Sequence, residues 1–122
     1  DFNLKCNNIK CRKVLSQFSK ACITICSHIF CTSCANKFFS ISLICPACES
    51  NLSEKNDIII TNLKPNETFK NSALSGLHPD VVIEICSKAF SFWNYQVTQE
   101  IYCQELIAKA LGEKKALAEK QL

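Results

Sequence analysis

The 122-residue chain has no methionine, only two glycines, three prolines and a single tryptophan. With so little glycine, a phosphate-cradling loop cannot be assembled from this sequence. No apolar run approaches the roughly 18 residues that a membrane-spanning helix needs, and no secretory signal is visible. No Ser/His/Asp set and no carboxylate pair stands out. Charge of one sign is also lacking. The formal net charge is +3, and nucleic-acid binding would call for a concentrated basic face. The missing methionine and the start at Asp1 lead us to expect a fragment of a longer product.

Cysteine, by contrast, is abundant. Ten are present, a density that points to either a disulfide scaffold or metal sites. If seven of them bound two zinc ions as thiolates, ions and sulfurs together would cancel the formal charge.

Two parts are distinguishable. Residues 1–56 hold eight of the ten cysteines, with short β-branched runs such as "ITIC" and much Ser and Asn. Residues 57–78 form a linker in which "DIIIT" reads as one short strand leaving the cysteine-rich part. "PNETFKNSALSGL" follows as a short helix, with Pro65 and Asn66 as start signals and Gly76 as the stop. From Pro79 no proline recurs, and Pro79, Asp80 and Glu84 suit the opening of a long helix over 79–122. His78 beside Pro79 reads as punctuation at the start of that helix.

Along this helix Cys86, Phe90, Trp93, Val97, Ile101, Gln104, Ala108, Leu111, Lys115, Ala118 and Leu122 recur every three or four residues, an amphipathic stripe. Ile85, Ala89, Phe92, Cys103, Leu106 and Ala110 widen it. About 40 residues would extend about 60 Å, more than the small cysteine-rich part can cover. The sequence therefore predicts self-association, as a helical bundle or coiled coil, with Phe90, Trp93, Val97, Ile101 and Leu111 in the contact. Near the end, Lys115 and Glu119 have ion-pair spacing in the less favourable order.

The candidate metal ligands are Cys6, Cys11, Cys26, His28, Cys31, Cys34, Cys45 and Cys48. Zinc takes four ligands in a tetrahedron, and two cysteines a few residues apart can grip one ion from a tight turn. The Cys26–His28 pair is too close for such a turn and is expected to reach out from extended backbone. Four pairs can serve two ions in neighbouring or alternating fashion, and spacing does not choose. Either way eight donors leave no position for an activated water, so both sites would be structural. A histidine at ligand spacing has no role in a disulfide framework, and zinc thiolates fit a reducing compartment. Cys22, Cys86 and Cys103 are left over and read as buried thiols, although Cys22 is near enough to Cys26 to substitute as a ligand.

The ligand order, with "CSHIFC" and "ICPAC", resembles a RING finger. "CNNIKCRKVLS", "DIIITNLKPNETFK" and "LSGLHPDVVIEICSKAFSFWNYQVTQE" extend the resemblance to the cyclin-B-interacting, enhancer-of-invasion type of meiotic crossover RING proteins. The resemblance implies a small α+β cross-brace with two Zn2+ followed by a long helix. It also implies the alternating assignment, with Cys6, Cys11, Cys31 and Cys34 on one zinc and Cys26, His28, Cys45 and Cys48 on the other.

It implies a ubiquitin- or SUMO-protein ligase that recruits a charged conjugating enzyme and a protein substrate and forms no covalent intermediate. It places that protein in the nucleus on meiotic chromosomes. The conjugating-enzyme surface would use Ile9, Pro46, Phe39 and Leu43, with Phe38 a further candidate. Many active ubiquitin RINGs carry Arg or Lys after the last ligand; here Glu49 follows Cys48, an acceptor without donors. A non-catalytic, zinc-stabilised scaffold assembling through its helix is the competing expectation.

Overall fold

The computed structural model describes residues 2–120, with side chains as far as 113; the stripe positions Lys115, Ala118 and Leu122, and the Lys115/Glu119 pair, lie outside the described side chains. The chain forms a small α+β module and a long helix. Strand β1 (Lys20–Thr24) turns into β2 (Ile29–Cys31), which leads directly into helix α1 (Thr32–Phe39). Strand β3 (Ile58–Asn62), the short helix α2 (Glu67–Ser72) and the long helix α3 (Pro79–Lys120) follow.

The sheet runs β2-β1-β3, antiparallel throughout. The "DIIIT" strand, read from the sequence as part of a linker, is thus an edge of the module's sheet, with Ile59 opposite Ile23 and Ile60 opposite Cys22. As the central strand, β1 needs a second partner for its backbone groups, and a β-branched run is the segment suited to supply one.

The core is small. Its fully buried large apolar side chains are Phe30, Leu15, Ile29 and Leu52, and five cysteines (Cys6, Cys22, Cys31, Cys34 and Cys45) share the space with them. Phe39 and Phe38 are half-buried against this core, and Phe39 meets Phe30 edge to face with centroids 6.1 Å apart. So few apolar residues cannot by themselves hold a module of this size, and a cross-link or metal is needed.

The helix boundaries follow from local chemistry. Asn66 caps α2 by accepting the Phe69 N–H at 2.8 Å, and Gly76, at φ +88°, turns the chain before α3. At the start of α3, His78 Nδ1 accepts the Asp80 N–H at 3.2 Å, the punctuating role expected of it. The 42 residues of α3 run well past the module. Phe90, Ile101 and Leu111 are 68%, 53% and 62% exposed, while Val97 is half-buried. Trp93 lies edge-on to Phe2 of the same chain, centroids 5.6 Å apart. Among the described residues no helix is long and apolar enough to cross a membrane.

Candidate metal centre

Each ligand loop is built by a short backbone ladder. Around the first, Lys5 and Val14 bridge and Cys6 N–H donates to Lys13 O at 2.9 Å. Around the second, Ile44 and Asn51 bridge and Cys45 N–H donates to Ser50 O at 2.9 Å. Directly after the second cysteine of each loop the chain adopts a left-handed conformation, Arg12 at φ 56° and Glu49 at φ 64°. Neither residue is glycine, so each turn costs about 1 kcal/mol or more, offset only if something fixes the loop.

Cys26 and His28 depart from expectation. Rather than extended backbone, they occupy the β1–β2 turn, with Ser27 between them at φ 68°. The turn is tied by Thr24 N–H to His28 O at 2.9 Å and Ser27 N–H to Thr24 O at 3.0 Å. The left-handed residue is what lets two ligands separated by one position converge.

The fold gathers eight donors into two sets: Cys6, Cys11, Cys31 and Cys34, and Cys26, His28, Cys45 and Cys48. Within each set the donor atoms lie within 4.8 Å of one another. The sets alternate along the chain. Cys22 joins neither; it is fully buried in β1, where desolvation raises its thiol pKa. Cys86 and Cys103 are half-buried on α3.

The spacings fit a tetrahedral cation. Zn–S bonds of about 2.3 Å and Zn–N bonds of about 2.05 Å place tetrahedral S···S and S···N edges at about 3.8 and 3.6 Å. Cys11 Sγ and Cys31 Sγ are 3.9 Å apart, and Cys45 Sγ is 3.6 Å from His28 Nδ1. A disulfide would require about 2.05 Å, and all ten cysteines are free. Four donors per set complete the tetrahedron with no position for water or substrate, so an ion here would hold the fold and perform no chemistry.

Donors from the surrounding chain point at the sulfurs. Asn8 Nδ2 approaches Cys34 Sγ at 3.3 Å, and Cys31 N–H donates to Cys6 Sγ at 3.4 Å. Ser50 Oγ is 3.0 Å from Cys48 Sγ, lowering the Cys48 pKa. Burial pushes the Cys6 and Cys45 thiols up to about 12. A dication must displace those protons, so metal retention weakens as pH falls.

Thr24, which sequence reasoning passed over, is 2% exposed. Its Oγ1 accepts the His28 N–H at 3.1 Å and lies 3.0 Å from Cys26 Sγ and 3.4 Å from His28 O, so the sulfur, the shorter of the two, competes with that carbonyl for its one proton. The legible signal was a threonine two residues before a ligand, a local side-chain-to-backbone bonding pattern. Thr24→Val keeps the shape and removes all three contacts. We expect loss of metal from the Cys26/His28/Cys45/Cys48 set to become roughly 10- to 100-fold easier, measured by competition with a chromogenic chelator.

The residues assigned to a conjugating enzyme are spread in character. Ile9, on the first loop, is 86% exposed, and Leu43 is 46% exposed. Pro46, on the second loop, is exposed. Phe39 is committed in part to the core, as above.

Sequence reasoning also missed how α3 meets the module. Phe92 packs on the core, and one turn later Gln96 is buried. One turn further, Glu100 pairs with Lys5 at 3.1 Å and with Arg12. Burial would raise the Glu100 pKa, but hydrogen bonds from Gln104, Arg12 and Lys5 outweigh it and hold it at about 2. Its stabilising contribution is therefore complete above the ordinary carboxylate range and is lost as pH falls toward about 2.

Such an arrangement defines a class: a small α+β module with two interleaved four-donor sets that could each hold a metal ion, and a long helix seated on its ligand loops. Comparison with known proteins points in one direction. The chain is similar to the E3 ubiquitin-protein ligase CCNB1IP1 of Homo sapiens, 48% identical over 116 residues that make up 93% of the chain and 41% of that protein. It is 52% identical over 103 residues to the Mus musculus protein of the same name, covering 84% of the chain and 37% of that protein. An Oryza sativa homolog of the same name is 27% identical over 110 residues, 90% of the chain and 34% of that protein. The chain thus spans about two fifths of the length of the mammalian relatives. No family model and no solved structure matches it.

Proposed function

We propose that the chain is a RING-type, zinc-stabilised docking module of a ubiquitin-protein ligase. It would recruit a conjugating enzyme carrying a thioester and hold that conjugate near a substrate lysine, acting by proximity and restraint. The observation that carries this reading is a pair of four-donor sets, enough to fill a zinc ion's coordination, at the base of two loops that present Ile9 and Pro46 to solvent. A full site has no catalytic use, whereas a rigidly held apolar loop tip is what a docking face requires. The name of the relatives supports ubiquitin as the modifier, and the family resemblance supports a setting in meiotic recombination in the nucleus.

The test is a discharge panel with conjugating enzymes loaded with ubiquitin or with SUMO. Accelerated ubiquitin discharge is expected; acceleration of SUMO alone would reassign the modifier, and acceleration of neither would leave the scaffold reading. Glu49→Arg is a sharper probe within the same panel. Glu49 is exposed and directly follows the last ligand, so a guanidinium there adds donors without touching the core. A several-fold faster ubiquitin discharge is expected.

We also propose that chains associate through α3. Its exposed Phe90, Ile101 and Leu111 lie on a face that the module leaves bare. Light scattering should report a dimer or larger; a monomer at high concentration would refute it.

A further inference from the structure

The contact between α3 and the module is more polar than docking an amphipathic helix requires. At its centre Gln96 is 4% exposed. Its Nε2 donates to Ser27 O at 2.6 Å, and Ser27 is the left-handed residue between the ligands Cys26 and His28. Its Oε1 accepts from Asn7 Nδ2 at 3.1 Å. Asn7 follows Cys6, and its Oδ1 accepts the Ile29 N–H at 2.8 Å.

One turn on, Glu100 takes the ammonium of Lys5 and the guanidinium of Arg12. Those residues directly precede Cys6 and directly follow Cys11. One residue before Gln96, the Tyr95 hydroxyl is 3.5 Å from His28 Nε2, and the two rings meet edge to face at 5.8 Å. His28 turns Nδ1 toward Cys45.

From this geometry we infer that Tyr95, Gln96 and Glu100 are positioning residues for the metal ligands, so that retention of the two ions and seating of α3 form one linked equilibrium. The work divides between the sites. Gln96 holds the strained Ser27 peptide, and thereby the angle between Cys26 and His28. With an ion on Nδ1, His28 would carry its proton on Nε2, where the Tyr95 oxygen is placed to accept it and so to fix tautomer and ring plane. Glu100 holds Lys5 and Arg12 side by side; without it two cations repel each other across the mouth of the first loop. Linkage is reciprocal. Whatever lifts α3 away loosens the ions, and loss of the ions frees α3.

This inference rests on the two-site zinc reading, and the experiment separates the two. The intact chain, loaded with two zinc ions, is mixed with a chromogenic chelator and the release of each ion is timed. Cobalt-substituted samples assign each phase, since a site of three thiolates and one imidazole absorbs differently from an all-thiolate site. Gln96→Ala is expected to speed release from the site that contains His28 roughly 10- to 100-fold, and Tyr95→Phe to act on that site in the same direction. Glu100→Gln is expected to act on the all-thiolate site first. Thr98→Ala, on an exposed position of the same helix, should release metal as the unaltered chain does.

Tyr95→Phe removes one oxygen from an exposed ring, so it keeps the fold even if Gln96→Ala does not. Release rates unchanged by Tyr95→Phe and Glu100→Gln would overturn the inference. So would an equal acceleration by the control Thr98→Ala, the mark of a general sensitivity of the helix rather than of the three positioning residues. An unaltered chain that takes up no zinc would overturn the zinc reading itself and this inference with it.

Discussion

Replacing Cys31 by alanine is expected to abolish the folded module, not merely one metal site. Cys31 is 1% exposed, ends β2 and stands directly before the first residue of α1. Its thiol belongs to the first ligand set, while β2 pairs with β1 through Ala21↔Cys31 and Cys22↔Phe30. The β1–β2 turn in between carries Cys26 and His28 of the second set. Loss of the first ion therefore frees one end of the hairpin that presents the second.

The magnitudes favour collapse. A structural zinc site contributes about 10–16 kcal/mol of apparent binding free energy, whereas whole domains are stable by only about 5–15 kcal/mol. Four large buried apolar side chains cannot make up the difference. Thermal melting followed by near-ultraviolet circular dichroism, with zinc analysis of the same sample, checks this. The unaltered chain should melt cooperatively and carry two ions; Cys31→Ala should show no cooperative transition and carry less than one. A variant that melts within a few degrees of the unaltered chain would show that apolar packing alone suffices.

The second large effect is expected on transfer. Ile9→Asp should reduce discharge of ubiquitin from a loaded conjugating enzyme at least tenfold while both ions stay bound. At 86% exposure, Ile9 contributes little to the fold, and surface substitutions of this kind shift stability by about 0.5 kcal/mol or less. Buried in a partner's groove, the same side chain would contribute about 1.5–3 kcal/mol, and each 1.4 kcal/mol is about tenfold. A carboxylate there forfeits that gain and adds a desolvation cost. Discharge unchanged by Ile9→Asp, in a chain still holding two ions, would remove the first loop from the docking face.

The ligands were legible because their chemistry is rare. Thiols and an imidazole at these spacings serve few ends besides metal binding, and the long proline-free run after Pro79 could only be a helix. Which pairs share an ion was not legible from spacing, because neighbouring and alternating pairings use the same intervals; it became so through the resemblance, and the fold then gathers the same two sets.

The face of α3 toward the module was hidden for a different reason. Hydrophobic periodicity follows apolar side chains, and it drew the stripe through Phe90, Trp93, Val97 and Ile101. The seat of the helix is Phe92, Gln96, Glu100, where two of three residues are polar and count against a buried face. Their burial depends on partners, Ser27 O, Asn7, Lys5 and Arg12, that lie roughly 70 to 95 residues away, and no local pattern carries that information. β3 was misplaced in the linker for the same reason, since a strand's partner is a matter of tertiary pairing.

Native mass spectrometry of freshly purified protein tests the two-ion cross-brace most directly. The mass should be that of the chain with two zinc ions, and the seven ligand cysteines should react with an alkylating reagent only after chelation. A metal-free chain that is nonetheless folded, or a mass lowered by cystine bridges among the ligand cysteines, would contradict it.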